Sequence, residues 1–320
     1  MGAHWPVALA AKAFRNDEPF DTGGKTHVRA TRRQQANPGD AQMRVAVFSD
    51  VQANFPAMET CIAHIQAWAP DLVVMAGDLI NRGPSSDRCL RSFQDLRQGA
   101  GWLPLLGNHE VWVLRCGLEP PTDPIDARLR ALADFTHAQL AGTEQWLMDW
   151  PDHLCFEGEP GRGWVHVTHG TLLGNRDGIS LRTQDEDLPT RIPADVDLFV
   201  TGHTHRPLLR HFSGVDILNI GSVGSPFDGD VRASYGQLEW HGGRWHTRIV
   251  RLDYDRAAAE RAYEDTGFLD RGGPLARIVY AEWLLARPLI NGWHQRYGLA
   301  VRRGEICPDA AVDQYLSTLA

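Results

Sequence analysis

The chain has 320 residues, of which 43% are hydrophobic and 22% are charged, and its formal net charge is −8. These values are typical of a globular protein with one large domain or two smaller ones. The negative charge argues against a general affinity for nucleic acids or for anionic membrane surfaces. No apolar run approaches the ~20 residues that cross a bilayer. We expect a cytoplasmic protein without a membrane partner, and the sequence leaves its oligomeric state open.

The cysteines are odd in number and scattered, without C-x-x-C spacing: Cys61, Cys89, Cys116, Cys155 and Cys307. This pattern predicts reduced core thiols rather than a disulfide framework or a zinc cluster.

The first 42 residues lack periodicity and mix Gly, Pro, Gln, Asn and Arg. The apolar stretch from Trp5 to Ala13 has no basic residue before it, so it makes a poor signal peptide. We predict that 1–42 is a disordered extension, or that the start of the protein was assigned too far upstream, with a targeting segment as the alternative. A domain is predicted over 43–252, and a helical tail over 253–320.

From Arg44 onward, buried strands alternate with polar loops and helices. Apolar runs that predict strands, each followed by Gly and polar residues, occupy 44–49, 72–76, 102–106, 164–168, 197–201 and 217–220. Ligands of α/β sheets bind beyond the carboxyl ends of the strands, so these loops should converge on one site. Residues 111–160 are predicted to be a mostly helical insertion, and 241–243 a hairpin turn.

The polar residues that follow these strands form the candidate site: Asp50, Asp78, Asn108, His109, His169, His203 and His205. Oxygen and imidazole donors without thiolates suit manganese, iron or zinc. His203 and His205 are two residues apart in what we expect to be extended chain, so both would point towards one metal pair. The two carboxylate oxygens of Asp78 can bridge two ions.

The order Asp-x-x, Gly-Asp, Gly-Asn-His-Glu, His-Gly and Gly-His-Thr-His resembles the calcineurin-like metallophosphoesterase superfamily from about Arg44 to Leu252. Residues 49–54 and 219–226 look most like its bacterial branch of small phosphoesterases. Residues 77–84, followed by 107–110, are similar to the Ser/Thr phosphatases and the diadenosine tetraphosphatases. The resemblance implies a four-layer α/β/β/α sandwich with a dinuclear metal site and a short C-terminal helical tail.

Carried over residue by residue, the resemblance implies two sets of ligands that share Asp78. The first ligand group would be Asp50, Gln52, Asp78 and His205, and the second ligand group Asp78, Asn108, His169 and His203. His109 matches the family histidine that stabilises the transition state or protonates the leaving oxygen. Asn108 would also contact the substrate. Arg82 matches an arginine that grips phosphate in the Ser/Thr phosphatases, a role that suits its planar guanidinium; a solvated loop arginine is the alternative.

Gln52 departs from the family pattern, which has histidine at this position. A glutamine oxygen is a weaker, neutral donor than imidazole for zinc or iron, so the first metal should bind weakly. In the alternative interpretation, Gln52 hydrogen-bonds a metal ligand or the substrate. Ala53 also replaces the usual glycine. Manganese is the predicted ion at both positions, with iron and zinc as alternatives.

The resulting hypothesis is hydrolysis of a phosphomonoester or phosphodiester, in a small phosphorylated substrate, by metal-activated water. Within the enzymes, the alternatives are a nucleotide-anhydride hydrolase of the diadenosine tetraphosphatase kind and a protein phosphatase. Outside the enzymes, the alternative is a binding scaffold, since the retromer scaffold subunit shares the fold. Retention of His109 favours an enzyme, because a scaffold has no use for it.

Overall fold

The computed structural model describes residues 43–319, so the prediction for residues 1–42 lies outside the described residues. Two mixed five-stranded sheets form its centre. The first sheet has the order β10-β9-β1-β2-β3, with β1 Met43–Phe48, β2 Leu72–Met75, β3 Leu103–Pro104, β9 Ala233–His241 and β10 Arg244–Leu252. The second sheet has the order β4-β5-β6-β8-β7, with β4 His153–Glu159, β5 Arg162–Thr168, β6 Leu198–Thr201, β7 Leu208–Phe212 and β8 Val215–Asn219.

Helices connect and flank the strands. Those in the first half of the chain are α1 Phe55–Trp68, α2 Ser86–Ala100, α3 Asn108–Leu118 and α4 Pro124–Gln139. Short 3₁₀ helices occupy Glu144–Trp146 and Asp185–Thr190. The C-terminal helices are α5 Arg256–Asp265, α6 Phe268–Arg271, α7 Pro274–Leu285, α8 Ile290–Arg302 and α9 Pro308–Ser317. None of the helices within 43–319 is long and apolar enough to span a bilayer.

Separate apolar clusters hold the layers together. One lies between the two sheets and includes Val47, Val74, Val165 and Val200. A second packs α1, α2 and α3 on the outer face of the first sheet. A third covers the outer face of the second sheet with the segment around the 3₁₀ helix Asp185–Thr190. The predicted α/β sandwich with a helical C-terminal region is confirmed.

Three strands differ from the sequence prediction. The strand predicted over 102–106 is reduced to the two residues of β3, at the edge of its sheet. Pro104 explains both facts, because proline cannot donate a ladder hydrogen bond. The end of the segment predicted to be mostly helical, 111–160, forms β4, which pairs antiparallel with β5. β7 was not predicted, and it pairs antiparallel with β8.

The hairpin of β9 and β10 was predicted at its turn. His241 pairs with Arg244, so Gly242 and Gly243 alone form the loop, and both have positive φ, 61° and 75°. Two-residue turns of this kind match the right-handed twist of the strands and require residues that tolerate positive φ.

The cysteines agree with the prediction in all but one case. Cys61, Cys89, Cys116 and Cys155 are buried thiols. Cys307 is free but exposed, because it lies at the N-terminal end of α9 rather than in a core.

The C-terminal helices pack against α4 rather than extending away from the sheets. Phe135 of α4 meets Phe268 edge to face, with ring centroids 5.5 Å apart. Trp283 of α7 belongs to the same apolar cluster. This packing brings α7 and the start of α8 to the rim of the strand-end loops.

Candidate metal centre

The carboxyl ends of the parallel strands meet at one edge of the sandwich, as the sequence predicts. β1 leads to Asp50, β2 to Asp78, β5 to His169 and β6 to His203. All of the predicted site residues lie together in these loops and at the start of α3: Asp50, Gln52, Asp78, Arg82, Asn108, His109, His169, His203 and His205.

Two glycines allow the loops after β2 and before α3 to approach each other. Gly77 has a φ of +88°, and a Cβ there would lie 2.8 Å from Gly107 Cα. A Cβ on Gly107 would lie only 2.1 Å from Asp78 Oδ1. Only residues without a side chain fit at this contact, which brings Asp78 next to the N-terminus of α3.

Most of the non-glycine residues with left-handed backbone, among those described, lie in these loops: Asp50, Gln52, Ala53, Asp78, Asn81, Arg82, His203 and His205. Such conformations cost free energy and concentrate at functional sites. Ala53 has a φ of 53°, which explains the glycine of the family pattern. The prediction that His203 and His205 occupy extended chain is wrong, since their φ values are 65° and 56°. The two rings lie in different ligand groups.

In the first ligand group, donor atoms of Asp50, Asp78 and His205 all lie within 4.8 Å of one another. Asp50 Oδ1 is 3.1 Å from His205 Nε2 but lacks a hydrogen bond of normal geometry. Gln52 Nε2 donates to Asp78 Oδ2 over 3.1 Å, and Gln52 Oε1 is buried without a partner. The hydrogen bond matches the alternative interpretation of Gln52, and the unpaired oxygen matches its interpretation as a ligand.

In the second ligand group, Asp78, His169 and His203 again place donor atoms within 4.8 Å of one another. Asn108 Oδ1 lies 3.0 Å from His169 Nε2 and 2.9 Å from His203 Nδ1. His169 Nδ1 lies 2.9 Å from the carbonyl oxygen of Ala76, to which it can only donate. That bond turns His169 Nε2 inward, as in many metal sites.

The two carboxylates are charged although they are buried. Burial alone would raise the pKa of Asp50, but His205 outweighs this effect and holds that pKa below its usual value. Burial would also raise the pKa of Asp78, but His169 and His109 outweigh this effect and lower that pKa. Both groups therefore present negative oxygens to the site.

The histidines differ in their protonation. Burial lowers the pKa of His203 to about 4 and that of His109 to about 3, so both rings are neutral near pH 7. Burial would also lower the pKa of His169, but the Asp78 carboxylate raises it above its usual value. A metal in the second ligand group must therefore displace a proton from His169.

These residues fit divalent cations. Neither Asp50 nor Asp78 has an Arg or Lys partner within the described part of the chain, and the side-chain nitrogens that form their ion-pair contacts belong to histidine rings. Buried carboxylates without a full counter-charge are costly, as are buried oxygens without hydrogen bonds. A cation held by Asp50 and Gln52 would relieve both. The site is thus suited to two metals that share Asp78.

His109 is held by a chain of hydrogen bonds that the sequence analysis missed. Thr136 Oγ1 of α4 donates to Asn81 Oδ1 over 3.1 Å, which orients the amide. Asn81 Nδ2 then lies 2.9 Å from His109 Nδ1 and donates to it. The ring proton is left on His109 Nε2, 3.8 Å from Asp78 Oδ2. The only sequence signal for Asn81 is its place in the Gly-Asp-Leu-Ile-Asn-Arg segment.

Glu110 is a second residue whose role was missed. Its buried carboxylate accepts hydrogen bonds from the backbone N–H groups of Gly107, Asp78, Leu79 and Ile80, over 2.8–3.2 Å. Glu110 is the third residue of α3, the position where a glutamate can cap its own helix. It fixes the loop after β2, and with it Asp78, to the start of α3.

A cleft of about 1080 Å³ opens from the metal centre. Its walls come from α4, the loop around residues 176–180, and the C-terminal α7 and α8.

Arg82 lines this cleft and is only 9% exposed, so the interpretation of a solvated loop arginine is wrong. Its guanidinium is paired with Glu282 of α7. It also lies over the ring of Phe227, which stacks on His205 with centroids 4.3 Å apart.

Comparison with known proteins agrees with this geometry. The family model of calcineurin-like phosphoesterases matches residues 43–207, just over half of the chain. A metallophosphoesterase from Sphaerobacter thermophilus has a similar structure, with a TM-score of 0.60, 24% identity, and coverage of 77% of this chain and 99% of the other.

A hypothetical protein from Pyrococcus horikoshii is also similar, with a TM-score of 0.58 and 17% identity, covering 72% of this chain and 99% of the other. No curated protein matches the sequence. At these identities the structural likeness shows the fold, while the family model extends over the Asp, Asn and His ligands of both groups. The chain belongs to the calcineurin-like phosphoesterases, a family of dinuclear metal-dependent enzymes.

Proposed function

We propose that the chain hydrolyses a phosphomonoester or a phosphodiester with two bound divalent metals. The observation that carries this proposal is the position of Asp78, which belongs to both clusters of possible metal ligands. The donor set contains oxygen and nitrogen but no thiolate, which favours manganese, with iron and zinc as alternatives. When bound, the metals would activate water and offset charge on the phosphate.

The chain's own residues have distinct roles in this proposal. The first ligand group would hold one metal and the second ligand group the other. His109, neutral and with its proton on Nε2, would donate a hydrogen bond to the leaving oxygen or to charge developing on the phosphate. Asn81 keeps that proton on the inner nitrogen. Arg82 and the amide nitrogen of Asn108 would contact phosphate oxygens.

The cleft has room for a small organic phosphoester as the substrate. Pockets of 300–1,000 Å³ hold drug-sized molecules, and the volume of the cleft is about 1080 Å³. Its far wall includes Ile290 and His294 of α8, so the alcohol part of the substrate would lie between α4 and the C-terminal helices. The absence of a nucleic-acid or membrane partner, and a cytoplasmic location, remain predictions from composition.

A nucleotide anhydride is the second candidate substrate. Arg176, Arg206 and Arg302 also line the cleft, and each adds a positive charge beyond Arg82. Asp123 and Asp126 line the cleft as well and offset part of this charge. A substrate with several phosphate groups would use more of these guanidinium groups than a simple monoester. A protein phosphatase has no comparable support in the geometry.

The test is a substrate screen on metal-depleted and metal-reconstituted protein. Chelation should abolish hydrolysis of p-nitrophenyl phosphate or its bis-ester, and manganese should restore it. Dinucleotide polyphosphates in the same screen distinguish the anhydride candidate. Full activity in excess chelator would contradict the metal mechanism. Tight metal binding without hydrolysis of any phosphoester or anhydride would favour the scaffold alternative.

A further inference from the structure

A carboxylate from the C-terminal helices lies in the wall of the active-site cleft. Glu282 of α7 is fully buried and lines the same cleft as Asp78 and His109. Its Oε2 is paired with Arg82 Nη2, from a residue 200 positions earlier in the chain. A single side chain thus connects the last third of the protein to the loop that follows Asp78.

The surroundings of Glu282 fix its position. Its Oε1 accepts hydrogen bonds from the backbone N–H groups of Leu289, at 2.6 Å, and Ile290, at 2.8 Å. A buried carboxylate is costly unless it is paired and hydrogen-bonded, and here both oxygens are used. Because the start of α8 holds one oxygen, the other has a fixed place from which it can orient Arg82.

Arg82 is only partly satisfied by this contact. The residue is only 9% exposed, and its buried Nε lacks a hydrogen-bond partner. The guanidinium carbon lies 5.8 Å from the centre of the Phe227 ring. An aromatic face on one side and a carboxylate at one end leave the planar group little freedom to rotate.

We propose that Glu282 is a positioning residue that holds Arg82 ready to bind an oxygen of the substrate phosphate. The C-terminal helices then complete the active site instead of only packing beside it. Glu282 also balances the charge of Arg82 while the cleft contains no substrate, so the contribution of Arg82 to phosphate binding depends on its oriented N–H groups rather than on excess positive charge. This inference rests on the proposed phosphoesterase function.

Glu282→Gln tests the proposal, because glutamine keeps the shape and an acceptor for Leu289 and Ile290 but loses the charge that holds Arg82. We expect kcat/KM to fall by about 10- to 100-fold, the range for a lost charged hydrogen bond. KM should rise more than kcat falls, and inhibition by inorganic phosphate should weaken. Metal content should not change.

A double variant separates positioning from a general effect on the fold. In the Arg82→Ala background, Glu282→Gln should cause no further loss of kcat/KM, because residues that act through one contact are not additive. The matched control is Asp309→Asn, which breaks the 2.7 Å ion pair between α9 and Arg128 of α4, away from the cleft. That variant should keep wild-type kinetics.

Several results would overturn the proposal. Unchanged kinetics and phosphate inhibition in Glu282→Gln would do so, as would an equal loss in both backgrounds. If Glu282→Gln does not fold, Glu282→Asp replaces it, since aspartate keeps the charge but is one methylene too short; wild-type kinetics there would overturn the proposal. If the wild type hydrolyses no phosphoester, the proposed function fails, and calorimetric binding of inorganic phosphate to the metal-loaded variants still decides the role of Glu282.

Discussion

The two ligand groups share Asp78 but leave the metal-free protein in different states. In the second ligand group, Asn108 Oδ1 lies within hydrogen-bonding distance of both His169 and His203. In the first ligand group, Asp50 Oδ1 and Gln52 Oε1 are buried without hydrogen bonds. Protons can satisfy the second group, whereas the unpaired oxygens of the first group call for a cation.

This difference changes what Gln52 implies. From donor strength alone, an amide oxygen in place of imidazole predicts a weak first metal. The unpaired buried oxygens act in the opposite direction, because each costs ~1–3 kcal/mol until it finds a partner. In the second group the metal must first displace protons, which lowers its apparent affinity near neutral pH. The metal affinities of the two ligand groups can therefore be measured and compared with each other.

The largest effect should come from the shared carboxylate. Asp78→Asn keeps a side-chain oxygen that can accept a hydrogen bond from the backbone N–H of His109. It removes the negative charge that both ligand groups share. We expect the loss of both metals, measured by mass spectrometry, and a fall in activity of several orders of magnitude. Asp50→Asn is the matched control and should lose only the first metal. Equal loss in the two variants would contradict the division into two groups.

His109 should matter for turnover but not for metal binding. Its Nε2 lies 3.8 Å from Oδ2 of Asp78, the residue that the two ligand groups share. His109→Ala should lower kcat by ~10²–10³-fold, the range for a lost hydrogen-bond donor to charge that develops in the transition state. Metal content should stay at the wild-type value. A fully active variant, or one that loses metal in proportion to activity, would show that His109 has another role.

Substitutions of Gln52 test the strength of the first metal position. Gln52→His should raise the affinity of the first metal by about 10-fold. This is the lower end of the change in metal affinity that follows from mutating residues around the ligands of a metal site. Activity at low metal concentration should increase with it. Gln52→Leu, which removes the oxygen at similar volume, should do the opposite. Two tightly bound metals in the wild type, unaffected by either substitution, would rule out a weak first position.

The smallest effect is a release of protons from the second group. Asp78 raises the pKa of His169 above its usual value, so this ring carries a proton near pH 7 in the metal-free protein. Metal binding should expel about one proton, and affinity should increase with pH up to the raised pKa. Calorimetry in buffers of different ionisation enthalpy measures this release. A binding enthalpy that does not depend on the buffer would contradict it.

The ligand positions were predictable because each one follows an apolar strand. The sheet brings the ends of its parallel strands together, so local sequence is enough to place Asp50, Asp78 and His169 near one another. Asn81, Glu110 and Glu282 could not be predicted in this way. Each acts through a partner that only folding brings close, such as Arg82 for Glu282, 200 residues away.

The family, the sandwich and the ligand residues could be predicted from the amino-acid sequence, since they depend on strand periodicity and on short motifs. Two features came only from the folded chain. His203 and His205 have left-handed backbone rather than the extended chain that their spacing predicts. The C-terminal helices join the site, because the packing of α7 against α4 places a buried carboxylate beside Arg82. Contacts between distant segments depend on the packing of whole elements, and local patterns do not encode them.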